Sequence, residues 1–92
     1  MIIGKVIGTV ICTRKNNDLV GSKFLIVAPL EKMSAGNHDR VVAVDHVGAG
    51  ISDIVLVTLG SSARLACGNP GSPVDACIVG IVDDPQKIVI EE

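Results

Sequence analysis

Aromatic side chains are almost missing from this 92-residue sequence: Phe24 stands alone, with no Trp and no Tyr. Sites that stack bases or sugars are built on aromatic faces, so this absence argues against a stacking platform. Cysteine is scarce and odd in number. Cys12, Cys67 and Cys77 have no CxxC spacing, which argues against a disulfide framework and against a zinc site. Reduced thiols of a cytosolic protein are expected, packed as small hydrophobes. Blocks of like charge are absent too. Eight Lys and Arg are scattered among ten Asp and Glu, for a net charge of −2, whereas nucleic-acid binders gather basic residues into a patch. No apolar run approaches the ~20 residues of a membrane-spanning helix. The opening stretch carries Lys5 inside its apolar run rather than ahead of it, unlike a secretion signal. Gly48-x-Gly50 lacks the third glycine of a dinucleotide fingerprint, and no Walker A sequence occurs.

What is present is aliphatic and β-branched. The chain is 48% hydrophobic and includes 14 Val and 11 Ile. That content excludes disorder and favours strands over helices. The length suits one domain, residues 1–92. Period-two alternation predicts a first strand over 2–13, with Ile2, Gly4, Val6, Gly8, Val10 and Cys12 on its buried face. A polar turn at Arg14–Asp18 leads to a second strand over Lys23–Ala28, stopped by Pro29. Glu31–Arg40 reads as an expendable polar loop. Further strands are expected at Val41–Val47, Ile54–Leu59 and Ala76–Val82, with a short terminal one at Lys87–Ile90. Between the fourth and fifth, residues 60–66 read as a short helix, with Ser61 or Ser62 as N-cap and Gly68 as its stop. The fold class is therefore all-β: a small five-stranded OB-like barrel with one short helix before the last core strand.

Two strands do not suit an isolated barrel. Ile54-Val55-Leu56-Val57 and Ile78-Val79-Gly80-Ile81-Val82 are apolar at successive positions, hence on both faces. The chain has no room for flanking helices, and a domain of this size buries only about 60% of its unfolded surface. A second copy of the chain is the simplest cover, so a homo-oligomer is expected.

Residues that could carry chemistry are few. Asp45 and His46 are adjacent, so along a strand they point to opposite faces and cannot orient one another. His38 reads as a solvated loop residue. Asp45, Asp53, Asp75, Asp83 and Asp84 lie near strand ends, where a carboxylate accepts hydrogen bonds from turn N–H groups. No catalytic residue, metal ligand or cofactor is assigned. Gly48-Ala49-Gly50 could present backbone N–H groups to an anion or crowd a symmetry axis, and composition leaves both open. Two other functions stay in view: an OB-fold binding module for nucleic acid or a small ligand, and a small enzyme using Asp45, His46 or a cysteine.

Five blocks, in order, resemble the EutN/CcmL family, the pentameric vertex proteins of bacterial microcompartment shells. They are Gly4–Lys15, Leu19–Val27, Val42–Gly50, Gly60-Ser61-Ser62-Ala63-Arg64 and Pro73–Asp83, with Val42–Gly50 the most specific. The resemblance implies a structural, non-enzymatic protein with no cofactor. It implies a ring of copies, mostly pentameric and in some members hexameric, set among hexagonal shell tile proteins in the bacterial cytoplasm, with neither nucleic acid nor membrane as partner. It also implies that the turn Gly48, Ala49, Gly50, Ile51, Ser52 and Asp53 borders the ring axis. Asp45, Ser61, Ser62, Ala63, Arg64 and Asp75 are carried over as structural motif positions. The sequence departs from the family after Gly50: Ile51-Ser52-Asp53 stands where a glycine and a glutamate are usual.

Overall fold

The computed structural model describes residues 1–13, 17–19, 21–30, 39–68 and 71–91. Its strands are β1 (Ile2–Val10), β2 (Lys23–Pro29), β3 (Val41–Asp45), β4 (Ile54–Leu59) and β5 (Ala76–Val82), with helix α1 (Ser61–Ala66) between β4 and β5. Short 3₁₀ turns occupy Asn17–Leu19 and Pro85–Lys87. The strands close into a barrel in the order β1-β2-β3-β5-β4. Every ladder is antiparallel except β3–β5, a parallel closure through Val44 opposite Cys77 and Asp45 opposite Ile78. The all-β barrel with its single short helix is the architecture that the alternation predicts. The expected loop at 31–40 and turn at 14–18 fall largely outside the described residues.

The bore is lined by Val6, Leu25, Val27, Ala43, Ala49, Val55, Val57, Ala76 and Ile78, all buried. A second cluster, Val44, Ala63, Val74 and Cys77, lies on the outer face of β3 and β5 beneath α1, with Leu19, Phe24 and Cys67 packed against it. These outward residues alternate with inward Ala43, Ala76 and Ile78, as a pleated strand requires.

The period-two reading of the first strand fails after Val6, for a physical reason. The β1–β2 register slips between Val6 and Gly8, leaving Ile7 as a bulge residue. A bulge reverses the alternation, so Gly8 joins the outer face beside Ile26 rather than the buried face. The strand then ends at Val10, opposite Phe24, and Cys12 is exposed rather than packed. The β4–β5 ladder slips likewise between Leu56 and Val57, and Gly80 meets Leu56. The third strand stops at Asp45, two residues short of the expected Val47, because Asp45 begins a turn. Residues 88–90 lie outside the sheet instead of forming a terminal strand.

Gly4 is fixed by close approach. A Cβ there would lie 2.5 Å from Val27 Cγ1 and 2.7 Å from the Ala28 carbonyl oxygen, inside the β1–β2 contact. Gly4→Ala is therefore expected to lower the unfolding free energy by about 1–3 kcal/mol, as overpacking does. Gly8→Ala meets only the movable end of Ile26 at 3.3 Å and should cost clearly less. Urea midpoints of the two variants measure the difference.

Candidate functional site

The turn joining β3 to β4 closes one end of the barrel. Asp45, the last residue of β3, starts it: its Oδ1 accepts from the Val47 amide at 3.1 Å. Its Oδ2 lies 3.5 Å from Lys23 Nζ, in a pair where the carboxylate is almost wholly buried and the ammonium half exposed. Lys23 stands opposite Asp45 in the β2–β3 register, and its ammonium also donates to the Ala49 carbonyl. That bond holds Ala49, fully buried, as a stopper in the end of the core. Farther along, the Gly50 amide donates to Asp53 Oδ2 at 2.8 Å and the Asp53 amide returns a bond to the Gly50 carbonyl at 3.1 Å. Ser52 donates its amide to the Val6 carbonyl at 2.8 Å, and Val6 donates to the Asp53 carbonyl at 2.9 Å. The turn is thus tied to β1 at the residue just before its bulge.

This geometry narrows what the turn can do. The amides of Val47, Gly50, Ser52 and Asp53 are all spent inside the protein, which leaves little of an anion cradle. Two residues hold left-handed backbone, Gly48 at φ 85° and Ser52 at φ 76°. Gly48 is in the conformation glycine accepts freely; Ser52 stores strain there. Gly50 has no such constraint, since a Cβ there would meet only Asp53 Oδ2, at 3.9 Å. Within one protomer the steric demand therefore falls on Gly48 and not on Gly50. Ile51 is exposed, and Asp53, at the departure from the family pattern, caps the turn.

Asp45 and His46 diverge as the adjacent spacing requires: the carboxylate is buried and His46 is exposed. Asp45, Asp53 and Asp84 do accept turn amides, Asp84 from Gln86 at 2.9 Å. Asp75 does not use its exposed side chain; its carbonyl accepts from the Gly60 amide at 2.8 Å. Asp83 pairs with Lys87 at the surface. His38 lies outside the described residues.

The motif at 61–64 serves α1. Neither Ser61 nor Ser62 is the N-cap. Gly60 takes that position with φ 67°, and no side chain caps the helix. The chain leaves β4 through a left-handed turn, so Ser61 is already helical and cannot adopt the extended backbone of a capping serine. Gly68, at φ 78°, follows the last turn as expected of a stop. Ala63 is fully buried in the second cluster, with Val44, Val74 and Cys77. Arg64 reaches from α1 to the Val74 carbonyl at 3.2 Å, tying the helix to the segment before β5. Ser62 is exposed. Cys77 is buried nearby, and burial, followed by the neighbouring Cys67 and Asp45, pushes its thiol above the ordinary value of 9.0. Cys77 thus fits the expected small hydrophobe, whereas Cys12 does not.

Lys23 is the site residue that sequence reasoning missed. Lys23 gains its role only once the β2–β3 register sets it opposite Asp45, and a register is not visible in one sequence. Ser52 was placed in the turn by its sequence, but its left-handed backbone was not foreseen; the departure from the family pattern at Ile51-Ser52-Asp53 was the available signal.

Three comparisons place this geometry among known proteins. The family described as "Ethanolamine utilisation protein EutN/carboxysome" matches residues 1–83. The microcompartment shell vertex protein GrpN of Rhodospirillum rubrum is 48% identical over 88 residues, covering 96% of this chain and 99% of GrpN. The shell vertex protein EutN of Escherichia coli K12 is 38% identical over 84 residues, covering 91% of this chain and 88% of EutN. Among solved structures, CcmL of Nostoc superposes with a TM-score of 0.79 at 43% identity, over 90% of this chain and 89% of that one. The pentameric shell protein GrpN superposes at 0.76 with 49% identity, over 91% and 95%.

Ser52→Val forces a β-branched residue into left-handed backbone and should cost about 1–3 kcal/mol, read as a drop in the urea midpoint; Ser52→Gly should not lower it. A pH effect follows from Cys77. Its folded thiol pKa is raised, so its contribution to stability is complete below about 9 and is lost as pH rises past the unfolded thiol value. Unfolding midpoints between pH 7 and 10 should show this decline, and Cys77→Ala should remove that component.

Proposed function

Because the chain belongs to the EutN/CcmL family, we propose that it forms rings of five copies that cap the vertices of a bacterial microcompartment shell. The observation that carries this is likeness along nearly the whole chain to shell vertex proteins, among them the pentameric GrpN, which is 49% identical over 91% of this chain. Flat hexagonal tiles alone make a sheet that does not close; a pentagonal unit removes a sector and supplies curvature. The tile partners are accordingly hexameric shell proteins, and the protein sits in the shell within the bacterial cytoplasm.

The outer surface supports the assembly. Of the eleven isoleucines only Ile78 is buried, and five are exposed: Ile7, Ile11, Ile51, Ile81 and Ile90. Val42 and Val79 are exposed as well. Such apolar surface is costly in water and suits seams between copies. A five-fold ring uses one heterologous contact, repeated until the rotation closes. The role is structural rather than enzymatic. Asp45, the carboxylate best placed for chemistry, is consumed by Val47 and Lys23. In this reading the turn at residues 48–53 lies toward the ring axis, with Ile51 facing the central opening.

Native mass spectrometry of the full chain at micromolar concentration should show a pentamer. A stable monomer would refute the reading, and a hexamer would move the protein from the vertex to another shell position. Asp45→Ala removes the acceptor of the Val47 amide and the partner of Lys23, both groups that water still reaches; it should weaken folding by about 0.5–1.5 kcal/mol and reduce assembly in the same spectra.

A further inference from the structure

The family match ends at residue 83, yet the chain continues in an ordered way. Asp84 caps a 3₁₀ turn over Pro85–Lys87 by accepting the Gln86 amide, and the backbone leaves the turn extended at Ile88, φ −87° and ψ 107°. Then come three β-branched apolar residues in a row, Ile88-Val89-Ile90, flanked by Lys87 and Glu91. This is strand-forming sequence, but it lies outside its own sheet. Val89 is 71% exposed and Ile90 48%.

A receptor of matching chemistry lies elsewhere on the barrel. Leu19, Phe24, Val42, Val44 and Val74 line a groove of about 210 Å³ at the opening between β3 and β5. That exceeds the ~150 Å³ cavity that takes up a benzene in an engineered core. The opening follows from topology: the β3–β5 ladder begins only at Val44, so upstream the two elements diverge. Val44 and Val74 form a buried floor and Val42 an exposed wall. Exposed Asp75 at the rim offers a second carboxylate to Lys87, whose pair with Asp83 is an exposed i,i+4 contact that it can exchange. The groove adjoins Ala76, the first residue of β5, whereas the tail departs beyond Val82, the last; seven residues of strand, about 20 Å, separate them. In the protomer the tail does not fill the groove.

We infer that residues 88–90 act as a strap between copies, laying an added strand into the β3–β5 groove of a neighbouring protomer. Extended apolar segments recognise sheet openings in this way: backbone bonds give affinity and alternate side chains fill the pocket. The strap rests on the proposed ring and names one of its contacts.

The test compares the full chain with a chain ending at Lys87, with Val89→Asp and with Val42→Asp, each diluted stepwise and followed by native mass spectrometry. Val42 and Val89 are both exposed, so the substitutions spare the core. The expected result is rings for all four, with the dilution midpoint raised about tenfold or more in the three variants. Rings of unchanged midpoint in all three would overturn the strap and leave the ring standing, whereas a monomeric full chain would overturn the ring itself. A second measurement fixes the contact. In a Cys12→Ser background, copies carrying Val89→Cys are mixed with copies carrying Val42→Cys under oxidised glutathione. A disulfide-linked pair of chains is expected. If the doubly substituted chain instead closes on itself, the tail serves its own groove and the strap is overturned.

Discussion

Closure of five strands into a barrel is the constraint on which the other features depend. A short sheet closes only if its strands bend sharply, and here the bend is concentrated at two bulges, after Val6 in β1 and at the Leu56/Val57 slip between β4 and β5. Each is followed on the bent strand by a glycine set against a large outward side chain, Gly8 against Ile26 and Gly80 against Leu56. At Gly4 the barrel wall is so tight that the space for a side chain is already filled by Val27 and the Ala28 backbone. The final seam is the weakest, a parallel pairing of two residues on each side. Parallel pairing is slightly less stable per residue than antiparallel, so this seam needs help from outside the ladder.

The turn after β3 gives that help. It holds the end of β3 through Asp45 and Lys23, reaches β1 through Ser52, Asp53 and Val6, and feeds β4. Three strands that do not all touch one another are thereby fixed in common. The Lys23–Asp45 pair illustrates a general balance. An exposed ion pair is worth little, but this carboxylate is nearly buried and accepts a backbone amide as well. Removing Lys23 would leave a nearly buried carboxylate short of its cation, so the pair matters more for what that loss strands than for its own attraction.

Much of this was legible in the residues. The ends of β4 and β5 could be read because uninterrupted apolar runs are bounded by polar and glycine residues, as at Asp53 and Gly60. The class of fold followed from the β-branched content. Reading failed where the chain departs from a simple period. The bulge at Ile7 hides in a flawless alternation, since swapping faces at Gly8 replaces one small or apolar residue by another. The cap of α1 was misassigned because Ser61 and Ser62 fit the local rule, while the deciding fact, left-handed Gly60 bound to the Asp75 carbonyl, is tertiary. Of the candidate site, Asp45 and Asp53 were visible as strand-end carboxylates. Lys23 was not, because only register joins residues 23 and 45.

The near-absence of aromatics acquires a cause from the same geometry. The bore is filled by alanine, valine, one leucine and one isoleucine, with three of its nine buried residues, Ala43, Ala49 and Ala76, carrying no more than a methyl group. A barrel this narrow has little use for bulk inside, so its larger aliphatic residues collect on the outer face. The lone aromatic, Phe24, lies there too, beneath the helix side of the molecule. Outward isoleucine and valine bring no hydrogen-bond donors that could select a small ligand. What they provide is flat, water-averse area of low conformational cost, which another protein surface of the same kind can cover. The composition that makes the bore possible thus also makes a solitary protomer unsatisfactory, and the demands of closure and of assembly are met by one choice of residues.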